Sequence, residues 1–435
     1  GYTKTKEAAD NSFRALTINL LGGAAFAAGI IFIGLRYETA EISALLRLRP
    51  ETMLFIPLFL FAFAALTKSA QFPFASWLLG AMVAPTPTSA LLHSATMVKA
   101  GVYFIIRLAP LLGAGFVGKT VTLVGGISFV AASFIAVSQS DAKKILAYST
   151  IANLGLIVAC AGIGTAESLW AAMLLIIFHA IAKSLLFLAV GSIEHQIGSR
   201  SVEDMDALLG VSKWLSLFMI IGIAGMFLAP FGMLISKWAA MKAFIDSDNF
   251  YIVVLLVFGS AATLFYWTKW MGKIIGSVNK KRADGHTFHR EEQVPLLILA
   301  VMTIAACLVF PVISKYAILP YLRGVFHVLD IRIIGNNDIL IMIVMLSMLI
   351  VLPVSFLPIY KADRRRIVPV YMAGENAQDD QYFYGAMGKK VRFETHNWYM
   401  DAFFGERKLL RAGNAAALAA VLANIFLIVW KLMTA

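Results

Sequence analysis

The sequence predicts an all-α polytopic membrane protein of about eleven transmembrane helices, two of them discontinuous. Three observations predict it. Of the 435 residues, 60% are hydrophobic and only 14% charged, where a soluble domain carries roughly 25% charged residues. Apolar stretches of about 20 residues, the length that crosses a hydrocarbon core of about 30 Å, recur almost from end to end. The basic residues gather in the segments between those stretches.

In chain order, a polar N-terminal segment, residues 1–13, precedes a first span at 14–35. The second, 52–84, is interrupted at Gln71-Phe72-Pro73, because proline removes a backbone donor and pushes its predecessor out of the helical region. Spans at 87–108, 119–138, 145–164 and 167–192 read as continuous. The next, 214–245, is interrupted at Ala229-Pro230-Phe231-Gly232 for the same reason. Broken backbone at membrane depth is tolerated only where protein or water covers the freed polar groups, so Pro73 and Pro230 mark helix breaks beside polar interior. Additional spans follow at 250–276, 295–316 and 337–360, within a stretch covering 246–360. Residues 361–408 are polar, aromatic and too charged to cross, and form a surface segment before the last span, 409–432, in the C-terminal stretch 409–435.

Alternating sides span by span places Asp141 to Lys144, the loop 195–213, residues 279–290 and Lys361 to Arg366 on one face. That face carries the clustered positive charge and is expected to be cytoplasmic. The net charge of +12 is therefore an orientation signal at a lipid bilayer rather than a nucleic-acid footprint. The aromatic and basic side chains of 361–408 suit either anionic lipid or another subunit. Cys160 and Cys307 both lie in apolar runs, which supports neither a disulfide framework nor a thiolate metal site.

The candidate functional residues are the ionisable ones inside the spans: Lys68, His93, Lys99, His179, Lys183 and Lys237. Each lysine costs about 2.5–3.5 kcal/mol at a helix centre on insertion scales, so four together cost on the order of 10 kcal/mol, comparable with the stability of a whole domain. Each has a blander reading. Lys68 and Lys237 can snorkel from helix ends, His93 can be a satisfied core histidine, and His179 with Lys183, one turn apart on one helix face, can form a polar contact between helices. Together they suit proton transfer, since burial disfavours a fixed ammonium charge and histidine titrates near neutrality. No phosphate loop, cysteine cluster or defensible haem-ligand spacing accompanies them, so no cofactor and no metal is expected in this chain.

"LTKSAQFPFASWLLGAMVAPTPTSALLHSATMVKAGVYFIIRL" at Leu66 to Leu108, followed by "SQSDAKKILAYSTIANLGLI" at Ser138 to Ile157, closely resembles the antiporter-like subunits of respiratory complex I. The same family includes Mrp-type cation/proton antiporter subunits and chains of energy-converting hydrogenases. The resemblance runs from about 14 to about 245 and implies that this stretch is an antiporter-like proton-channel core of two inverted repeats, each with one discontinuous helix. It implies that Lys68 and Lys237 are the lysines of the two broken helices, that His93 and Lys99 connect them, and that His179 and Lys183 join the half-channels. Asp141 and Lys144 match a loop whose charges are structural. The family pairs the first lysine with a glutamate on an earlier helix, which is absent ahead of Lys68; with Gly1 in place of a methionine, the expectation is a family pattern lacking roughly its first five helices.

The function expected is a proton-translocating subunit of a redox-driven pump, leaning to energy-converting hydrogenase or complex I. The chain itself would do no redox chemistry and would sit among other membrane and peripheral subunits, in a bacterial-type cytoplasmic membrane rather than the mitochondrial inner membrane. An Mrp-type sodium/proton antiporter subunit and a non-transporting scaffold are the rivals.

Overall fold

The computed structural model describes residues 5–39, 41–46, 54–113, 115–206, 208–227, 232–275, 290–326, 375–379, 382–392 and 397–434, with single positions between 335 and 351. Its helices are α1 (Lys6–Tyr37), α2 (Ile42–Leu45), α3 (Phe55–Lys68), α4 (Ser76–Gly80), α5 (Thr86–Ala90), α6 (Met97–Leu112), α7 (Phe116–Ser138), α8 (Ala142–Ile163) and α9 (Ala166–Ile197). There follow α10 (Leu208–Val211), α11 (Lys213–Phe227), α12 (Gly232–Asp246), α13 (Phe250–Ile275), α14 (Arg290–Ile313), α15 (Leu319–Phe326), α16 (Asp401–Phe404) and α17 (Glu406–Thr434). A turn of π-helix, Leu91–Ala95, joins α5 to α6.

Among the described residues nine helical segments are long and apolar enough to cross a membrane, against the eleven spans expected. The difference has two sources. The span read at 52–84 is α3, of 14 residues, followed by turns around Pro73 and the short α4, so no single helix there reaches the spanning length. The span at 337–360 and the break at Pro230 lie largely or wholly outside the described residues, as do Lys361 to Arg366; α11 ends at Phe227 and α12 begins at Gly232.

Local chemistry sets the helix ends. Asp141 Oδ1 accepts the Lys144 backbone N–H at 3.0 Å and so caps α8. Thr165 and Ser168 cap α9 reciprocally. Gly164, between these helices, takes φ +71°, and a Cβ there would lie 2.6 Å from the Ala109 carbonyl.

Helix α8 is the axis of the bundle: every residue but Lys144 is buried. It packs antiparallel on α7 through glycines. A Cβ on Gly155 would meet the Gly125 carbonyl at 2.6 Å and the Phe129 amide at 2.8 Å, so the two backbones touch there with no side chain between. Around this pair stand α3, α6, α9, α12 and α13, while α1, α14 and α17 bury only a few positions each and turn the rest outward. Helix α17 lies along α7, where Asn424 Nδ2 donates to the Phe116 carbonyl at 3.1 Å and Gly413 abuts Phe72 in the broken segment after α3.

Two of the loops expected on one face, Asp141 to Lys144 and 195–213, meet; residues 279–289 lie outside the described residues. The Ala142 amide donates to the Arg200 carbonyl and the Val202 amide to the Ser140 carbonyl, both at 2.9 Å. The segment before α17 joins them: Asn397 N–H and the Tyr399 hydroxyl donate to Glu203 Oε1, and the Tyr148 hydroxyl donates to Glu406 at 2.8 Å. Its described part also holds an antiparallel sheet, β1 (Glu375–Asp379), β2 (Tyr382–Tyr384) and β3 (Lys390–Arg392), with Phe383 opposite Val391. Sequence reading had treated this stretch as a plain surface segment.

Candidate functional site: a buried row of lysine and histidine

Helix α9 supplies the centre. His179 and Lys183 are both fully buried on one face of α9, one turn apart. Lys99, 7% exposed, reaches across from α6, its Nζ 2.9 Å from His179 Nδ1 and 3.2 Å from the Ile176 carbonyl. On the other side Lys183 Nζ donates to Ser149 Oγ and, at 3.1 Å, to the Leu146 carbonyl of α8. It also lies 5.0 Å over the Trp267 ring of α13. Four helices thus converge on three nitrogen-bearing side chains.

The Lys99–His179 contact constrains how many protons it holds. Two unit charges 2.9 Å apart repel by about 6 kcal/mol at an effective dielectric of about 20. A singly protonated pair avoids that repulsion and gains a charge-assisted hydrogen bond. A doubly charged pair is therefore disfavoured at this distance.

The remaining predicted residues make no hydrogen bond to this centre among the described residues. His93 sits in the π-helical turn, fully buried, with neither ring nitrogen bonded to a protein atom; its ring is 5.4 Å from that of Phe187, one turn beyond Lys183 on α9. Lys237, on α12, is 8% exposed and places Nζ 5.8 Å over the Phe129 ring of α7. Lys68 is the last residue of α3 and partly exposed, and makes no ion pair or side-chain hydrogen bond among the described residues. Asp141 caps α8, and Lys144 Nζ lies 3.6 Å from Glu406 at the same end of the bundle.

Several participants had not been singled out in the sequence. Ser149 and Asn153 form a buried polar face one turn apart on α8, a signal that was present in "AYSTIANLG". Glu194 closes the row at the α9 C-terminus, held by Lys143 at 3.2 Å and Arg200 at 2.5 Å. Lys273 Nζ lies 2.7 Å from Glu203, whose carboxyl burial pushes up, while hydrogen bonds from Lys273, Tyr399 and the Asn397 amide overcome this and hold it below the usual carboxylate range. Among the described residues no side chain of Asp or Glu is fully buried, Glu203 being partly so, whereas Lys99, Lys143, Lys183, Lys237 and Lys273 are. No group of three or more His, Cys, Asp or Glu suited to a metal ion occurs among them either.

A family model described as NADH:quinone oxidoreductase/Mrp antiporter, transmembrane, matches residues 1–263, more than half of the chain. The chain belongs to this family. A putative antiporter subunit mnhA2 of Staphylococcus aureus (strain MRSA252) is 33% identical over 360 residues, covering 73% of this chain and 44% of its own length. The Na(+)/H(+) antiporter subunit A1 of Staphylococcus epidermidis (strain ATCC 12228) is 33% identical over 329 residues, covering 68% and 41%. The chain thus spans under half the length of these relatives. Among solved structures, the Mrp complex from Dietzia sp. DQ12-45-1b superposes with a TM-score of 0.68 at 28% identity, over 85% of this chain and 42% of that one. An archaeal membrane-bound sulfane sulfur reductase shares the fold, with a TM-score of 0.63 at 24% identity over 75% and 66%. This chain is accordingly a multi-pass, antiporter-like membrane protein.

Proposed function

We propose that this chain forms the proton-handling part of an Mrp-type sodium/proton antiporter subunit in a bacterial cell membrane, with two inverted repeats meeting at α9. This replaces the redox-driven pump favoured on sequence alone, because the named relatives at 33% identity are antiporter subunits, while the respiratory neighbour at 24% identity supports only the fold. The observation that carries the reading is the hydrogen-bonded run from Lys99 through His179, with Lys183 one turn on and bonded to Ser149, in the buried centre of the bundle. The buried ionisable groups are amines and imidazoles, which carry protons well and bind sodium poorly, since hard cations prefer oxygen ligands. Sodium would then cross elsewhere in the assembly, coupled to these groups by charge.

The test uses the intact complex in sealed vesicles with a pH-reporting dye. A sodium gradient should drive an opposing proton flux, and Lys183→Leu should abolish it while leaving assembly intact. Proton uptake that ignores sodium and follows an electron donor would instead restore the redox-pump reading. Unchanged sodium-driven flux in Lys183→Leu would remove the row from transport.

A further inference from the structure

Lys99 Nζ, a donor when charged, points at His179 Nδ1 from 2.9 Å. A neutral imidazole receiving that bond must carry its own proton on Nε2. His179 Nε2 is buried and bonded to no protein atom among the described residues, and a buried N–H is costly to leave without an acceptor.

A matching group stands on α8. Asn153 is 1% exposed, its Nδ2 donates to the Ser149 carbonyl at 2.7 Å, and its Oδ1 is a buried acceptor without a donor. The register of α8 against antiparallel α9 sets its height. Lys143 meets Glu194 and Ser149 meets Lys183. One turn further along α8 from Ser149 is Asn153, and one turn back along α9 from Lys183 is His179. In the Ser149–Lys183 register, residues 153 and 179 therefore fall at the same level on the two facing helices.

We propose that Asn153 is a positioning residue for His179: Asn153 Oδ1 accepts the His179 Nε2 proton through one bridging water, locking the ring in the tautomer that presents Nδ1 to Lys99. With the ring so held, a proton arriving from Lys99 enters at Nδ1, and the Nε2 proton leaves on the side facing α8, where Lys183 meets Ser149. The proposal deepens the reading of His179 as a proton carrier and rests on it for its consequence, though not for its geometry.

Nitrogen-15 labelling of the histidines in the assembled, membrane-embedded complex tests it. Of the seven histidines, the His179 signals are those lost in His179→Gln. The expected result is a protonated Nε2 with a dipolar contact to the Asn153 side-chain carbonyl, about 4.5–5 Å for two hydrogen bonds meeting at one water. Asn153→Leu should shift the Nε2 resonance and slow proton flux by about tenfold, with both restored by Asn153→Gln. A ring protonated on Nδ1 in the neutral state, no contact to Asn153, or an Nε2 resonance unmoved by Asn153→Leu would overturn the proposal. Should Asn153→Leu fail to fold, the contact in the unsubstituted protein decides alone. A confirmed contact alongside normal flux in His179→Leu would leave the positioning intact and refute the transport role.

Discussion

Replacing His179 by leucine removes the side chain that Lys99 meets on α9, one turn before Lys183. The loss can be sized from the contacts. Lys99 Nζ would keep its bond to the Ile176 carbonyl at 3.2 Å and lose the one to His179 at 2.9 Å. A hydrogen bond to a charged group contributes about 1.5–3 kcal/mol. If that bond is intact in the proton-carrying state, its loss slows transfer by roughly 10- to 150-fold, at about 1.36 kcal/mol per decade. The same variant should lose stability of similar size, so flux into vesicles must be read beside thermal unfolding in detergent. His179→Gln separates the two effects, because an amide oxygen can still accept from Lys99 but cannot relay a proton. It should recover stability while flux stays low. If His179→Leu supports flux within twofold of the parent protein, or if His179→Gln restores flux together with stability, His179 carries no protons.

Lys237→Ala should depress flux at least tenfold with little effect on assembly, since Nζ has only a ring contact among the described residues; equal flux in vesicles would exclude it from the path. Gly155→Ala drives a methyl to 2.6 Å from the Gly125 carbonyl, and should cost about 1–3 kcal/mol of stability in detergent unfolding. Glu203 sits below its ordinary range through Lys273, Tyr399 and the Asn397 amide despite its burial. Such a group stabilises above the unfolded value of about 4.3 and ceases to do so as pH falls through its lower folded value. Hydrogen-exchange protection of amides 397–404, corrected for intrinsic rate, should therefore drop only below about pH 4.3, and should be low at every pH in Glu203→Gln; a wild-type profile flat down to pH 3 contradicts this.

The parts of the site legible in the sequence were those that violate their surroundings. Lys99, His179 and Lys183 are cationic residues in apolar runs, and Pro73 sits inside a stretch that would otherwise be helical, so each announced itself by cost. The π-helical turn at His93 escaped because the backbone departs from the α-helix four residues beyond the last proline, Pro87, within "SALLHSA", which reads as ordinary helix. Ser149 and Asn153 escaped because single hydroxyl and amide side chains are cheap enough in a membrane helix to raise no alarm. The ties among Glu203, Tyr399 and Lys273 escaped because they join positions up to 196 apart, and no local pattern encodes such a meeting. Even the reassignment toward an antiporter turned on relatives rather than on spacing, since a proton-carrying row looks alike in either machine.

The contact of Gly413 with Phe72 and of Asn424 with Phe116 has a bearing on biosynthesis. Residues threaded into the bilayer early wait for a partner made some three hundred positions later, so Phe72 and Phe116 lack that cover until α17 has been made. A nascent chain halted before Glu406 would leave that seam exposed.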